Sequence, residues 1–397
     1  MKYDYVIIGG GIIGLSTAWQ LQQRCPDSDI LLLEKEAQLA AHQSSHNSGV
    51  IHAGLYYTPN SLKAKFCREG ALTIQQFCQQ HKLPYSQTGK LLVATDKPEL
   101  ERMQLLHRRC LQNNVPVECL SQAQLHQREP NITGVGAIFI ANTGMVNFQS
   151  VSQQMATNFQ SAGGQIQLNT EVVDIQENPT GVKIETTQGL IDSKKLITCA
   201  GVMADRLVEM QGLERDFQIL PFRGEYYRLP SSRNDLIQHQ IYPIPNPDLP
   251  FLGIHLTRVI DGGITVGPNA VLGLHREGYE KLSINWRDSA EIIRFPGFWR
   301  LLSQHLKPGL AEIKNSLSKS AYLKLVQKYC PQLQLEDLQP HPAGIRAQAV
   351  LSDGTLVHDF LFKQTAHSLH VCNAPSPAAT SSIPIGAYIC DKLLKSG

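Results

Sequence analysis

Apolar residues run unbroken over Tyr5-Val6-Ile7-Ile8 and stop at Gly9-Gly10-Gly11-Ile12-Ile13-Gly14. A second run, Ile30-Leu31-Leu32-Leu33, stops at Glu34. Short continuous runs bounded by glycine read as strands buried on both faces, and the stretch between them, down to the Cys25-Pro26-Asp27 turn, reads as a helix. Further helices are predicted over 63–81, with Phe66, Gly70, Ile74 and Phe77 on one stripe, near 97–114, and over 147–162 before Gly163-Gly164. Strands are predicted over 90–95, 165–168 and 171–175, with a hairpin over 182–186 and 190–194 and a buried strand over 196–201. Short strands dominate 217–275, helix returns over 287–329, and the remaining C-terminal stretch alternates strand, loop and helix.

The first of these units has the spacing G-x-G-x-x-G between a strand and a helix, with an acid closing the following strand. Gly9 permits the tight turn, Gly11 lets a pyrophosphate approach the backbone, and Gly14 lets the helix pack closely on the strand. Glu34 is placed to accept from an adenosine ribose hydroxyl, which argues against a 2′-phosphate. A strand running into glycine recurs at Ala200-Gly201 and on the approach to Gly344. A nicotinamide domain would continue its strand–helix alternation directly after residue 34. Here a loop rich in Ser, His, Gly and Asn intervenes over 36–60 and the sheet resumes far downstream, a pattern that favours FAD.

These elements predict an α/β fold, mixed with α+β, in two interleaved domains. A Rossmann-like FAD-binding domain would draw on 1–80, 145–215 and 340–397, and a smaller antiparallel-sheet substrate domain on 81–144 and 216–339. The net charge of +2, from 36 basic and 34 acidic residues, supplies no field for nucleic acid. The nine cysteines are scattered without a C-x-x-C, so neither a metal site nor a disulfide framework is expected, and a reducing compartment fits best. The N-terminal apolar stretch is the glycine turn itself rather than a leader, and no apolar run is long enough to span a bilayer, so the expected location is cytoplasmic.

Several longer segments carry a resemblance. They are Ser45-His46-Asn47-Ser48-Gly49-Val50-Ile51-His52-Ala53-Gly54-Leu55-Tyr56-Tyr57, Pro221-Phe222-Arg223-Gly224-Glu225-Tyr226-Tyr227, Val266–Val271, Ala343-Gly344-Ile345-Arg346-Ala347-Gln348 and Asn373–Ser382. Together with the N-terminal turn and the 196–201 strand, they resemble the D-amino-acid-oxidase-like FAD oxidoreductases, and within them the L-2-hydroxyglutarate oxidases and dehydrogenases. The likeness spans nearly the whole chain, although His46 stands where that family carries Arg, and His341 is a second local departure.

The resemblance implies non-covalent FAD, with Gly9, Gly11, Ile12, Ile13 and Gly14 at the pyrophosphate and Glu34 and Lys35 at the ribose. It adds Ser45, His46, Asn47, Ser48, Gly49 and Val50 from the loop, and Val172 or Val173 at the adenine. Ala200, Gly201, Gly344, Arg346, Ala378, Ala379, Thr380 and Ser382 complete the expected cofactor shell. The implied substrate is L-2-hydroxyglutarate or a similar small dicarboxylate, oxidised to the 2-oxo acid, with quinone or oxygen as the electron acceptor. Such a reaction moves hydride from C2 to flavin N5 while the hydroxyl proton leaves to a base. His52 and His255 are the two candidate bases, each with the alternative of a structural histidine and His52 with the further alternative of a covalent flavin anchor. Arg223 and Arg346 are candidate carboxylate anchors, with an ion pair to Glu225 as the alternative for Arg223. Tyr226 is a candidate hydrogen-bond donor, whereas Lys63 and Lys65 read as solvated helix charges. An amine or amino-acid oxidase of the same fold and a redox-inactive flavin module are the rival readings.

One segment stands apart. Between Arg287 and Lys328 there are eight basic residues against three acidic ones, and Leu306, Leu310, Ile313 and Leu317 recur at helical spacing. An amphipathic basic helix suits a peripheral contact with an anionic membrane surface, such as the cytoplasmic face of an inner membrane. The alternative is that the stripe packs on the substrate domain.

Overall fold

The two N-terminal apolar runs become neighbouring parallel strands, Lys2–Ile8 and Ile30–Leu33, paired from Tyr5–Ile30 to Ile8–Leu33. The computed structural model describes residues 2–246 and 253–395. On one side Ile30–Leu33 pairs in parallel with Gln165–Gln167; on the other, Lys2–Ile8 pairs in parallel with Gly189–Thr198. That last strand begins as the antiparallel partner of Gly181–Thr186 and ends as the parallel partner of Ser368–Asn373. The sheet is thus assembled from segments far apart in sequence, as the interrupted strand–helix alternation predicts. Helices Ile12–Arg24, Phe148–Ser161 and Ser382–Lys395 cover one face, burying Ile7, Leu15, Leu32, Met155, Phe159 and Ile385.

A second sheet has nine strands, and Val50–Ile51 and Tyr85–Ser86 flank Gly144–Val146 in a small third one. The spine of the nine-stranded sheet is the antiparallel pair Phe217–Arg228 and Gln339–Leu351, which runs from Phe217–Leu351 to Arg228–Gln339 with one irregularity between Gly224 and Tyr226. Lys90–Ala94 lies inside this sheet, between Gly136–Ile140 and Gln240–Pro243, the latter in parallel with it. Three expectations shift accordingly. The region 217–275 opens with one 12-residue strand rather than only short ones. Gly344 lies within a strand, not at its end. The boundary expected at 340 moves beyond residue 351, because Gln339–Leu351 belongs to the second sheet.

A buried charge network ties the helix that follows Gly201 to the segment 276–291. Arg276 is fully buried and its Nη2 donates to Asp205 Oδ2 at 2.9 Å, while Nη1 donates to Asp205 and to the Val202 carbonyl. Asp205 Oδ2 also accepts from the Ile219 amide, at 3.0 Å. Removing one member of such a pair leaves an uncompensated buried charge. Arg276→Leu is therefore expected to destabilise the protein by about 3–5 kcal/mol in urea denaturation; a loss under about 1 kcal/mol would show the pair to be dispensable.

Candidate active site

The glycine turn opens onto a cavity of ≈360 Å³ that runs from Glu34 and Val172 to Tyr226 and Arg346. Each glycine has a separate steric reason. Gly9 has φ +109° and a Cβ there would lie 2.4 Å from the Cys199 carbonyl oxygen; one on Gly14 would lie 1.9 Å from the Gly9 oxygen. A Cβ on Gly11 would meet only Ser44 Oγ, at 3.3 Å, so its open side is the cavity. The helix that starts at Ile12 has no acid in its first turn, leaving its positive end to the cavity. These features fit a dinucleotide pyrophosphate.

Glu34 lines the cavity as expected, but its carboxylate also braces the turn. Oε2 accepts from the Gly10 amide at 2.7 Å and Oε1 from the Glu36 amide at 2.9 Å. A carboxylate has about four acceptor positions, so capacity for a ribose hydroxyl remains. Lys35 lines the same end, with its ammonium held by Glu36 and Glu277. Ile12, Ile13, His46, Asn47, Ser48, Val50, Val172, Ala200, Gly201, Gly344, Arg346, Ala378, Ala379 and Thr380 also line the cavity. The His46 ring stacks on Tyr279 with centroids 4.0 Å apart.

Other expected cofactor residues lie outside the cavity wall. Ser45 turns back onto the Ala41 and His42 carbonyls, and its neighbour Ser44 faces the site, accepting from the Ile12 amide at 2.9 Å. Val173 points to solvent because Val172 takes the inward position of the strand. Gly49, with φ +66°, is set against the Val146 carbonyl; Gly14 packs helix on strand; Ser382 is buried beneath Ser16, whose Oγ donates to its carbonyl at 2.8 Å.

The other end of the cavity holds the chemistry. Strand alternation puts Phe222, Gly224 and Tyr226 on the cavity side, opposite Gly344 and Arg346. Arg223 therefore faces away and pairs with Glu225, which also accepts from Ser316 and Asn269. Arg223 is corrected to a structural ion pair. His52 is in the wall, fixed by its amide donating to Thr380 Oγ1 at 3.2 Å. His255 lies behind the wall, stacked at 3.8 Å on Tyr242, its Nδ1 2.9 Å from Thr257 Oγ1.

Lys90, not anticipated from the sequence, is likewise buried behind the cavity wall rather than in it. It is 1% exposed, and its Nζ lies 4.6 Å from the Tyr242 ring and 5.4 Å from that of Tyr56. No carboxylate among the described residues pairs with it. Burial brings its ammonium down to about 8. Lys63, expected to be solvated, is drawn in as well, lying 4.8 Å over the Tyr57 ring. Burial and the nearby Arg346 guanidinium bring it down to about 8, against the opposing pull of Asp359. Burial, then the charges of Lys90, Arg346 and Lys63, hold His52 down to about 3. Burial, Lys90, His52 and Arg346 hold His255 well below its ordinary value. Both imidazoles are thereby held neutral near pH 7.

A model for the family described as FAD dependent oxidoreductase matches residues 4–392. An L-2-hydroxyglutarate dehydrogenase of Escherichia coli (strain K12) is 56% identical over 392 residues, 98% of this chain and 93% of that one. The mitochondrial L-2-hydroxyglutarate dehydrogenase of Homo sapiens is 42% identical, with 99% and 89% covered. Among solved structures, FAD-bound L-alpha-glycerophosphate oxidase from Mycoplasma pneumoniae superposes with a TM-score of 0.81 at 22% identity, covering 100% of this chain and 95% of that one. Glycine oxidase from Geobacillus kaustophilus gives 0.75 at 18%, with 99% and 95% covered.

Two outcomes follow from this geometry. Glu34→Ala removes a brace and an acceptor together and is expected to weaken FAD binding by about one to two orders of magnitude, read by flavin fluorescence; unchanged affinity would exclude the ribose role. In the flavin-free protein the unfolded chain protonates His52 near pH ~6.5 whereas the folded chain resists until about 3. Denaturation midpoints should therefore fall as pH drops below ~6.5, and less steeply in His52→Ala.

Proposed function

Because the chain belongs to the FAD-dependent oxidoreductase family, we propose that it oxidises L-2-hydroxyglutarate to 2-oxoglutarate. The observation that carries this reading is Lys90, 1% exposed among the Tyr56 and Tyr242 rings with no carboxylate partner among the described residues, near Arg346, Lys63 and the two imidazoles. The second carboxylate of a dianion supplies the charge that Lys90 does not find there. A monocarboxylate amine substrate would leave Lys90 uncompensated.

When bound, FAD supplies the hydride acceptor. The residues of the chain orient the substrate and handle its proton. Arg346 binds the carboxylate next to C2 through its planar fork, and Lys90 takes the carboxylate at the far end. His52, in the cavity wall, accepts the hydroxyl proton; His255 is the alternative base, with Nε2 as its remaining nitrogen. A bound dianion offsets the neighbouring positive charges and raises both imidazole pKa values, which strengthens the base in the complex that needs it. Tyr226 orients the substrate from the opposing strand. Electrons then leave to a quinone or to oxygen.

Anaerobic titration should reduce the flavin with the L isomer and not the D isomer, and re-oxidation by oxygen or a short-chain quinone identifies the acceptor. Replacing the base is expected to slow flavin reduction by about 10²–10⁴-fold with flavin retained; wild-type rates in both His52→Ala and His255→Ala would place the base elsewhere. Lys90→Met should lower kcat/KM for L-2-hydroxyglutarate by about ten- to a hundred-fold but change little for L-2-hydroxybutanoate, which has no second carboxylate. Equal losses on both would remove Lys90 as the distal anchor. In the wild type, KM should climb above pH about 8 as Lys90 loses its proton, and Lys90→Arg should flatten that climb.

A further inference from the structure

Beside Gly224 the cavity is walled by Pro268, Asn269 and Ala270, and two carboxylates that do not line the cavity hold this wall. The Asn269 side chain is engaged at both atoms by Glu225. Its Oδ1 accepts from the Glu225 amide at 2.8 Å, and its Nδ2 donates to Glu225 Oε2 at 3.0 Å. One residue on, the Ala270 amide donates to Glu312 Oε2 at 3.2 Å. Two neighbouring helices complete the attachment. Glu225 Oε1 accepts from Arg223 and, at 2.8 Å, from Ser316 Oγ, while the Glu225 carbonyl accepts from Tyr322 Oη at 2.9 Å. Glu312 and Ser316 lie one turn apart on the helix Leu306–Leu317, and Tyr322 lies on the helix Lys319–Gln327. The first of these helices is inverted relative to an ordinary core helix. Its apolar stripe of Leu306, Leu310, Ile313 and Leu317 is exposed, and its polar residues are what attach it.

Stability alone is poorly served by this arrangement. Burial raises the Glu312 carboxyl above its ordinary value, and the nearby Glu225 charge adds to the rise, against the Ala270 and Asn315 hydrogen bonds. Apolar packing would attach a helix without bringing two acids together. What the carboxylates supply is direction, since a charge-assisted hydrogen bond fixes both the length and the line of a contact. The wall they fix adjoins the reacting end of the cavity. A Cβ on Gly224 would lie 2.7 Å from Pro268 Cβ, and Gly224 stands two residues before Tyr226 and opposite Gly344. We propose that Glu225 and Glu312 are positioning residues that hold the 268–270 wall in place and so set the room available to substrate beside Tyr226 and Arg346. The proposal rests on the function proposed above only for the choice of substrate.

Stopped-flow reduction of the FAD-loaded protein by L-2-hydroxyglutarate, without oxygen, tests it by giving substrate affinity and the limiting rate of flavin reduction separately. Glu312→Ala releases the Ala270 amide, and Asn269→Ala releases Glu225 without changing any charge. Each should lower the ratio of reduction rate to substrate Kd by about ten-fold or more. Glu312→Gln keeps an acceptor oxygen and should stay close to the wild type. FAD affinity, read by flavin fluorescence, should be the same in all three. Ser316→Ala loosens the same cluster more gently and should lower the ratio by a smaller factor, which keeps the comparison decisive if Asn269→Ala does not fold. A lowered melting temperature with unchanged reduction rate and substrate affinity would make the attachment merely structural and overturn the proposal. So would equal losses in Glu312→Gln and Glu312→Ala. A wild type that L-2-hydroxyglutarate does not reduce refutes the substrate reading instead, and the same comparison is then made with the 2-hydroxy acid that does reduce it.

Discussion

The pairing of Phe217–Arg228 with Gln339–Leu351 is the constraint on which the site depends. It sets Gly224 opposite Gly344, two positions where a side chain has no room. A Cβ on the first would lie 2.7 Å from Pro268 Cβ, and one on the second 2.5 Å from the His46 carbonyl oxygen. The pair thus lets the flavin loop at His46 and the Pro268 segment close in on the sheet from either side. A shift of one residue would turn Arg346 away if it fell in Gln339–Leu351, and would turn Arg223 inward if it fell in Phe217–Arg228. The glycines and the register are therefore one requirement, imposed by close approach and by alternation together.

That framework holds positive charge where water cannot shield it. Lys90 is buried in a central strand with aromatic rings for neighbours, an arrangement that costs folding energy, which the two ring contacts offset only in part, and that finds no carboxylate among the described residues. On the proposed reading an arriving anion offsets that cost. Affinity and selectivity for a doubly charged ligand would then share one origin, and the stability of the ligand-free protein would be the quantity that bears it.

Features decided by neighbouring residues were legible in the sequence. The glycine turn, the acid at Glu34 that closes the second strand, the helix limits near 62–80 and 148–161, and the sheet resumed at 196–201 are all local patterns. Features decided by facing or by distant partners were not. Ser44 and Ser45 are equivalent in composition, and one position separates the inward residue from the outward one. The same parity separates Val172 from Val173 and Tyr226 from Arg223. Lys90 opens an apolar run, where a lysine ordinarily reads as a solvated end. It is buried because strands from residues 136–140 and 240–243 close on both sides of it. The 306–317 stripe was visible as a pattern, but its outward direction came from the anchoring of Glu312 and Ser316.

A pocket built on carboxylate recognition treats the two ends of its reaction alike. On the proposed reading, the 2-hydroxy and 2-oxo dicarboxylates differ at one carbon that neither Arg346 nor Lys90 would address, so both cations would hold the product as they hold the substrate. Turnover in such a site responds to the concentration ratio of the two acids rather than to the hydroxy acid alone. Where the oxo acid is abundant, such a site would idle until its substrate accumulates, the behaviour of a scavenger set by the same two side chains proposed to confer its selectivity.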